Sequence, residues 1–269
     1  YTFAGWYTAK TSGTKVTSSS KNLVSAPVSD GSSSTTIYAV WSINTYAISY
    51  NLNGGTATNP TSYKVTDSFT LNNPTKTGYT FLGWTGTGLS GNTMTVTVAK
   101  GSTEARSYTA NWSANTYSLT YNSNGGTAVT AVNKVYDTAF TTSELPSITR
   151  TGYTFKSWSV TGATVSNNKF NMPANNVTIT ATWTANTYYV EFNKNASDAT
   201  GTMSKQQFTY DDVAKALTSN AFIRPGYTFA GWATSSTGSK VYNNGAEVRN
   251  LTSTNGATVT LYAVWSSPL

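Results

Sequence analysis

Asn44, Asn115 and Asn186 stand at equal spacings of 71 residues, and each sits in the same short phrase. The phrases are INTYAISYN at 43–51, ANTYSLTYN at 114–122 and ANTYYVEFN at 185–193. Four closing phrases answer them: IYAVWS at 37–42, YTANWS at 108–113, ITATWT at 179–184 and LYAVWS at 261–266. Between opening and close lies an aromatic heptad, GYTFLGW at 78–84, GYTFKSW at 152–158 and GYTFAGW at 226–232, and the chain begins inside a fourth copy, YTFAGW. Self-similarity at a fixed period indicates a series of like units rather than one large core. The units predicted are an incomplete repeat over 1–42, second half only, then repeats over 43–113, 114–184 and 185–266, the last a longer subtype.

Each repeat reads as strands. Tyr46, Ile48 and Tyr50 alternate with polar residues, as do Tyr117, Leu119 and Tyr121, and Tyr188, Val190 and Phe192. That period of two predicts a strand with one face inward. Asn53, Gly54 and Gly55, like Asn124, Gly125 and Gly126, then supply the positive φ angles of a tight hairpin turn. A second strand follows around TSYKV, VNKVY and KQQFTY. In the last repeat DDVAKAL reads as one helical turn, with Asp211-Asp212 at its N-terminus, where acidic side chains are favoured. A share in a Ca²⁺ site is the alternative for that pair.

The heptad predicts a strand entered from a turn, with a bend at Gly83 or Gly231. Its aromatics, Tyr79, Phe81 and Trp84, Tyr153, Phe155 and Trp158, and Tyr227, Phe229 and Trp232, read as module core together with the closing Trp112, Trp183 and Trp265. A unit of about 70 residues has little interior, and each buried aromatic removes about 150–250 Å² from water. A sugar-stacking platform is the alternative. Linkers such as SINT and SANT hold no Gly or Pro, which predicts a semi-stiff string. Modules about 25–30 Å across would extend it to about 80–110 Å.

Composition closes off most chemistry. The 269 residues include no histidine and no cysteine, which removes Ser-His-Asp and Cys-His catalysis, disulfides and His- or Cys-based metal sites. No catalytic residue, metal site or cofactor is predicted. Asp67 with Glu104, and Asp137 with Glu144, would need a shared cleft to act as a glycosidase pair. The net charge of +7 is spread along the repeats with no basic run, which argues against nucleic acid. No run of about 18 apolar residues predicts a membrane span. The Asn-x-Ser/Thr sites at Asn111, Asn176, Asn195 and Asn250 read as a polar surface, and no Lys, Asn and acid set stands out for an isopeptide bond.

Taken together, YNLNGGT, GYTFLGW and YTANW resemble the Listeria–Bacteroides repeat, the class that includes the B-repeat of internalins. The third repeat resembles it most fully, through FNKNASDATGTM, QQFTY, GYTFAGWATSSTGSKVYNNGAEV and LTSTNGATVTLYAVW. FNMPANNVTITATW at 170–183 resembles a variant form, and Lys156-Ser157 and Thr85-Gly86 depart from the pattern. Those departures predict a shortened hairpin in the middle modules. The resemblance implies a predominantly β, β-grasp-like fold in tandem modules of about 70–80 residues, set in series on a bacterial surface protein.

The function expected is therefore that of a non-enzymatic extracellular spacer or stalk of a surface adhesin. Its partners are neighbouring repeats of a longer parent protein. Two alternatives stay open: adhesive modules that bind a cell-wall or host glycan or protein, and a strand-exchanging subunit of a sheath or filament. The second draws on the incomplete first repeat, whose unpaired strand edge invites self-assembly.

Overall fold

The computed structural model describes residues 1–18 and 34–267, so 19–33 of the incomplete repeat lie outside the described residues. The chain forms two compact units, Tyr1–Asn115 and Thr116–Leu269. Both are predominantly β.

In the first unit β1 (Thr2–Tyr7) pairs antiparallel with β2 (Tyr38–Ser42). Then follow β3 (Thr45–Asn51), β4 (Ser62–Lys64), β5 (Phe69–Thr70), β6 (Tyr79–Gly86), β7 (Thr97–Val98) and β8 (Arg106–Ala114). They form a four-stranded sheet ordered β4-β3-β8-β6 and a small β5-β7 pair. The first and last strands, β3 and β8, are parallel neighbours at its centre, and both outer pairings are antiparallel.

The second unit holds the same plan twice. Its strands are β9 (Thr116–Asn122), β10 (Val132–Val135), β11 (Ala139–Thr141), β12 (Tyr153–Thr161), β13 (Lys169–Asn171) and β14 (Val177–Ala185), then β15 (Thr187–Asn193), β16 (Gln206–Thr209), β17 (Lys215–Ala216), β18 (Thr228–Ala233), β19 (Glu247–Val248) and β20 (Thr258–Ser266). The four-stranded sheets are ordered β10-β9-β14-β12 and β16-β15-β20-β18, again with a parallel central pair.

Strand alternation sets each core. On β15, Tyr188, Val190 and Phe192 are buried in turn, and Phe208, Leu217, Trp232 and Leu261 close over them. Ile48, Tyr63, Trp84 and Tyr108 do so in the first complete repeat, and Leu119, Phe140, Phe170, Met172 and Ile179 in the second.

Two local expectations are corrected. DDVAKAL forms no helix: it opens on a turn, with Asp211 at φ +64°, and contains β17. Among the described residues the one helical turn is the short 3-10 piece Thr142–Glu144. In the Asn-Gly-Gly turns, Asn53, Gly54, Asn124 and Gly125 have positive φ, but Gly55 and Gly126 do not. Nor does the turn lead straight into the next strand, since β3 ends at Asn51 and β4 begins at Ser62.

Candidate functional site: the aromatic strand and the joint between repeats

Residues three apart on a regular strand face opposite sides, yet Phe and Trp of the heptad meet. The reason is a bulge. Register shifts between Phe3 and Gly5, Phe81 and Gly83, Phe155 and Ser157, and Phe229 and Gly231. The extra residue resets the phase of the strand. Ring centroids then lie 5.5 Å apart in Phe81–Trp84, 5.5 Å in Phe155–Trp158 and 4.8 Å in Phe229–Trp232.

The closing tryptophans join from the neighbouring strand, with Phe81–Trp112 at 5.4 Å, Phe155–Trp183 at 5.7 Å and Phe229–Trp265 at 5.7 Å. Their indole N–H groups donate to the backbone oxygens of Leu52, Ser123 and Lys194. Here the second glycine of each turn finds its reason. A Cβ on Gly55 or Gly126 would stand 2.5 Å from the Trp112 or Trp183 ring, so close approach, not φ, demands glycine there.

A returning segment covers the heptad in two complete repeats. Trp84 exchanges backbone bonds with Thr93 at 2.8 and 2.9 Å, and Trp232 with Tyr242 at 2.8 and 3.0 Å. Gly83 and Gly231, at φ +124° and +142°, make room for it: an added Cβ would lie 2.7 Å from Thr93 N or 2.5 Å from Tyr242 O. Beneath it Trp84 and Trp232 are fully buried.

The core expectation fails for two heptad residues. Tyr227 is 41% exposed, because its ring faces out under the guanidinium of Arg224, 3.7 Å from the centroid. Arg150 covers Tyr153 and Lys76 covers Tyr79 in the same manner, at 3.7 and 4.0 Å. Phe155 is 39% exposed and Trp158 only half-buried, since among the described residues no returning segment pairs with β12.

The joint between the two repeats of the second unit was not anticipated from sequence. Asn186, only 8% exposed, holds both sides. Its N–H donates to Gly152 O at 2.9 Å, its Oδ1 accepts from Thr154 Oγ1 at 2.6 Å, and its Nδ2 donates to Ser253 O at 2.8 Å. Tyr153 packs edge-on against Tyr210, with centroids 6.0 Å apart, and its hydroxyl donates to Asp211 Oδ2 at 3.0 Å. Asn250 Nδ2 also donates to that carboxylate, at 2.8 Å, and the two bonds hold it below the usual carboxylate range. In the first unit Thr2 and Thr80 donate to Asn44 and Asn115 Oδ1, each at 2.6 Å. The signal was present in the recurring Thr of YTF and the recurring linker Asn.

The carboxylates weighed for catalysis serve their own turns. Asp67 accepts from Lys64 N–H, Glu144 from Thr141 N–H and Lys134, and Asp137 from Asn171. Glu104 lies 3.8 Å from Arg106. Among the described residues no three metal-ligating side chains gather, and no helix is long and apolar enough to cross a membrane.

Residues 1–40, 46–109 and 188–264 match the Listeria-Bacteroides repeat domain, and 117–187 match the divergent InlB B-repeat domain. A protein of Evansella cellulosilytica, provisionally named a membrane protein, is 29% identical over 242 residues, 86% of this chain and 34% of its own length. A second from that organism, provisionally named a Gly-rich membrane protein, is 28% identical over 207 residues, 75% of this chain and 23% of its own. Internalin H of Listeria monocytogenes is 38% identical over 87 residues, 31% of this chain and 14% of its own. The chain spans about a third or less of the curated relatives it matches. With the greater part of its length matched, the chain belongs to the Listeria-Bacteroides repeat family, and its second complete repeat is of the divergent InlB B-repeat type.

Proposed function

We propose that this chain is a non-enzymatic spacer of a bacterial surface protein, made of an incomplete repeat over 1–42 and modules over 43–113, 114–184 and 185–266. The observation that carries the reading is the Asn186 joint. A buried asparagine bonded to both repeats, with Tyr153 seated against Tyr210 and Asp211, restrains the angle between consecutive modules. A flexible Gly/Ser connection would not. The names of the relatives support a surface setting, and the absence of His and Cys supports a role without catalysis. The sheet order, second-first-last-third with a parallel central pair, supports a β-grasp-like module in which a small two-stranded sheet replaces the helix.

Small-angle X-ray scattering with light scattering on the whole chain tests this. The expected result is a monomer about 80–110 Å long. A compact particle sinks the spacer reading.

A further inference from the structure

The second complete repeat leaves open an edge that its siblings close, and this stands apart from any spacer role. In β6 and β18 the outward N–H and C=O of Trp84 and Trp232 are taken by the returning segment. The corresponding Trp158 pairs with Ala181 in the same register as Trp84 with Ala110 and Trp232 with Ala263. Its backbone groups therefore also turn away from β14, as do those of Val160 two residues on. No described residue meets them. Instead of returning, the chain after β12 runs through residues 162–168 into β13, and no residue of β12 is buried.

Three features make this edge a built surface. First, a groove of about 440 Å³ lies beside it, lined by Leu145, Pro146, Ile148, Phe155 and Trp158, so Trp158 belongs to edge and groove alike. Second, Ser157 stands where Gly83 and Gly231 stand elsewhere. Unlike those glycines it has no positive φ, and its hydroxyl turns to Thr182 Oγ1 of β14 at 2.7 Å. Third, Lys156 is the one charged residue of β12; it is exposed, and among the described residues it is in no ion pair and no charged side chain lines the groove.

The sibling repeats show what fits such an edge: an extended strand exchanging two backbone bonds with the tryptophan and laying an apolar side chain, Leu89 or Tyr242, against the core. We propose that β12 is a docking edge for an extended peptide strand of another protein, apolar where it meets the groove and acidic opposite Lys156. The β12 of a second copy carries Lys156 and no acidic residue, so it does not offer the complementary charge.

The test uses the whole chain and a capped octapeptide reproducing residues 237–244 with Lys240→Glu, which carries the third repeat's strand with an acid added. Amide exchange of Trp158 and Val160 is followed by NMR. Saturating peptide slows both amides at least about tenfold. Lys156→Glu weakens binding about tenfold, and Val160→Pro, which removes an outward N–H, abolishes it with the melting temperature retained. Should Val160→Pro unfold the repeat, Lys156→Glu alone decides. Unchanged exchange with peptide at about 1 mM overturns the proposal. Protection that grows with protein concentration without peptide also overturns it, in favour of pairing between copies.

Discussion

Tyr153 and Asp211 belong to different repeats, and the phenol of one donates to the carboxylate of the other at 3.0 Å. One residue before Tyr153, Gly152 lies under the ring of Tyr210, where an added Cβ would stand 2.1 Å from Cδ1. The same position in the third repeat, Gly226, has open space around it.

Gly152→Ala and Gly226→Ala therefore separate strain from contact. Both carry a positive φ, +77° and +75°, worth about 1–2 kcal/mol to an L residue. Only Gly152→Ala adds overpacking against Tyr210, about 1–3 kcal/mol more. Urea titration of the two variants should show that gap, with Gly152→Ala the less stable.

Acid should loosen the joint. The Asp211 carboxyl is held below its usual range by its bonds from Asn250 and Tyr153, so its contribution is present above the unfolded value, near 3.8, and fades as pH falls through the lowered folded value. NMR titration of Asp211 in the whole chain should find that lowered midpoint. Tyr153→Phe should raise it.

Alkali should act on the first unit. Burial pushes the Tyr50 hydroxyl up to about 12, and it donates to Pro60 O at 2.8 Å. Its folded value is raised, so its contribution is whole below about pH 10 and lost as pH rises towards about 12. Melting of the first unit should fall across that window, and Tyr50→Phe should flatten the fall.

Among the described residues Trp232 Nε1 is buried without an acceptor, whereas Trp84 Nε1 donates to Asn73 Oδ1 at 3.1 Å. Asn73 lies five residues before Gly78, and Ala221 five before Gly226. Ala221→Asn should supply the missing acceptor and add about 1 kcal/mol, measured as a higher urea midpoint.

Gly231→Ser copies the second repeat's residue into the third. Its Cβ would lie 2.5 Å from Tyr242 O, so the returning segment must lift. Amide exchange at Trp232 and Tyr242 should accelerate, with about 2–4 kcal/mol of stability lost.

What the sequence disclosed was what neighbouring residues decide. Tyr188, Val190 and Phe192 announced their strand because a period of two is a local pattern. The Phe229–Trp232 contact was hidden, since a bulge is defined by the partner strand and not by the strand that carries it. Asp211-Asp212 misled in the same way: acidic residues suit a helix start, but Asn250 and Tyr153, distant in sequence, hold Asp211 in a turn. Gly126 looked like a turn residue until the Trp183 ring was seen against it. Phe155 looked like core because its heptad matches its siblings, and the segment that would have covered it runs elsewhere.

The parallel pair at the centre of each sheet governs how a repeat answers tension. The first complete repeat is entered along β3 and left along β8, which lie side by side from Ile48↔Arg106 to Asn51↔Thr109. A pull on its two ends drags these strands past each other in opposite directions along their length. The ladder between them is loaded in shear, and its bonds must yield together rather than peel one at a time. Forced extension is set by the unfolding barrier and not by equilibrium stability. A repeat this small can therefore hold under load while remaining modest in free energy, and the second and third repeats share the same geometry.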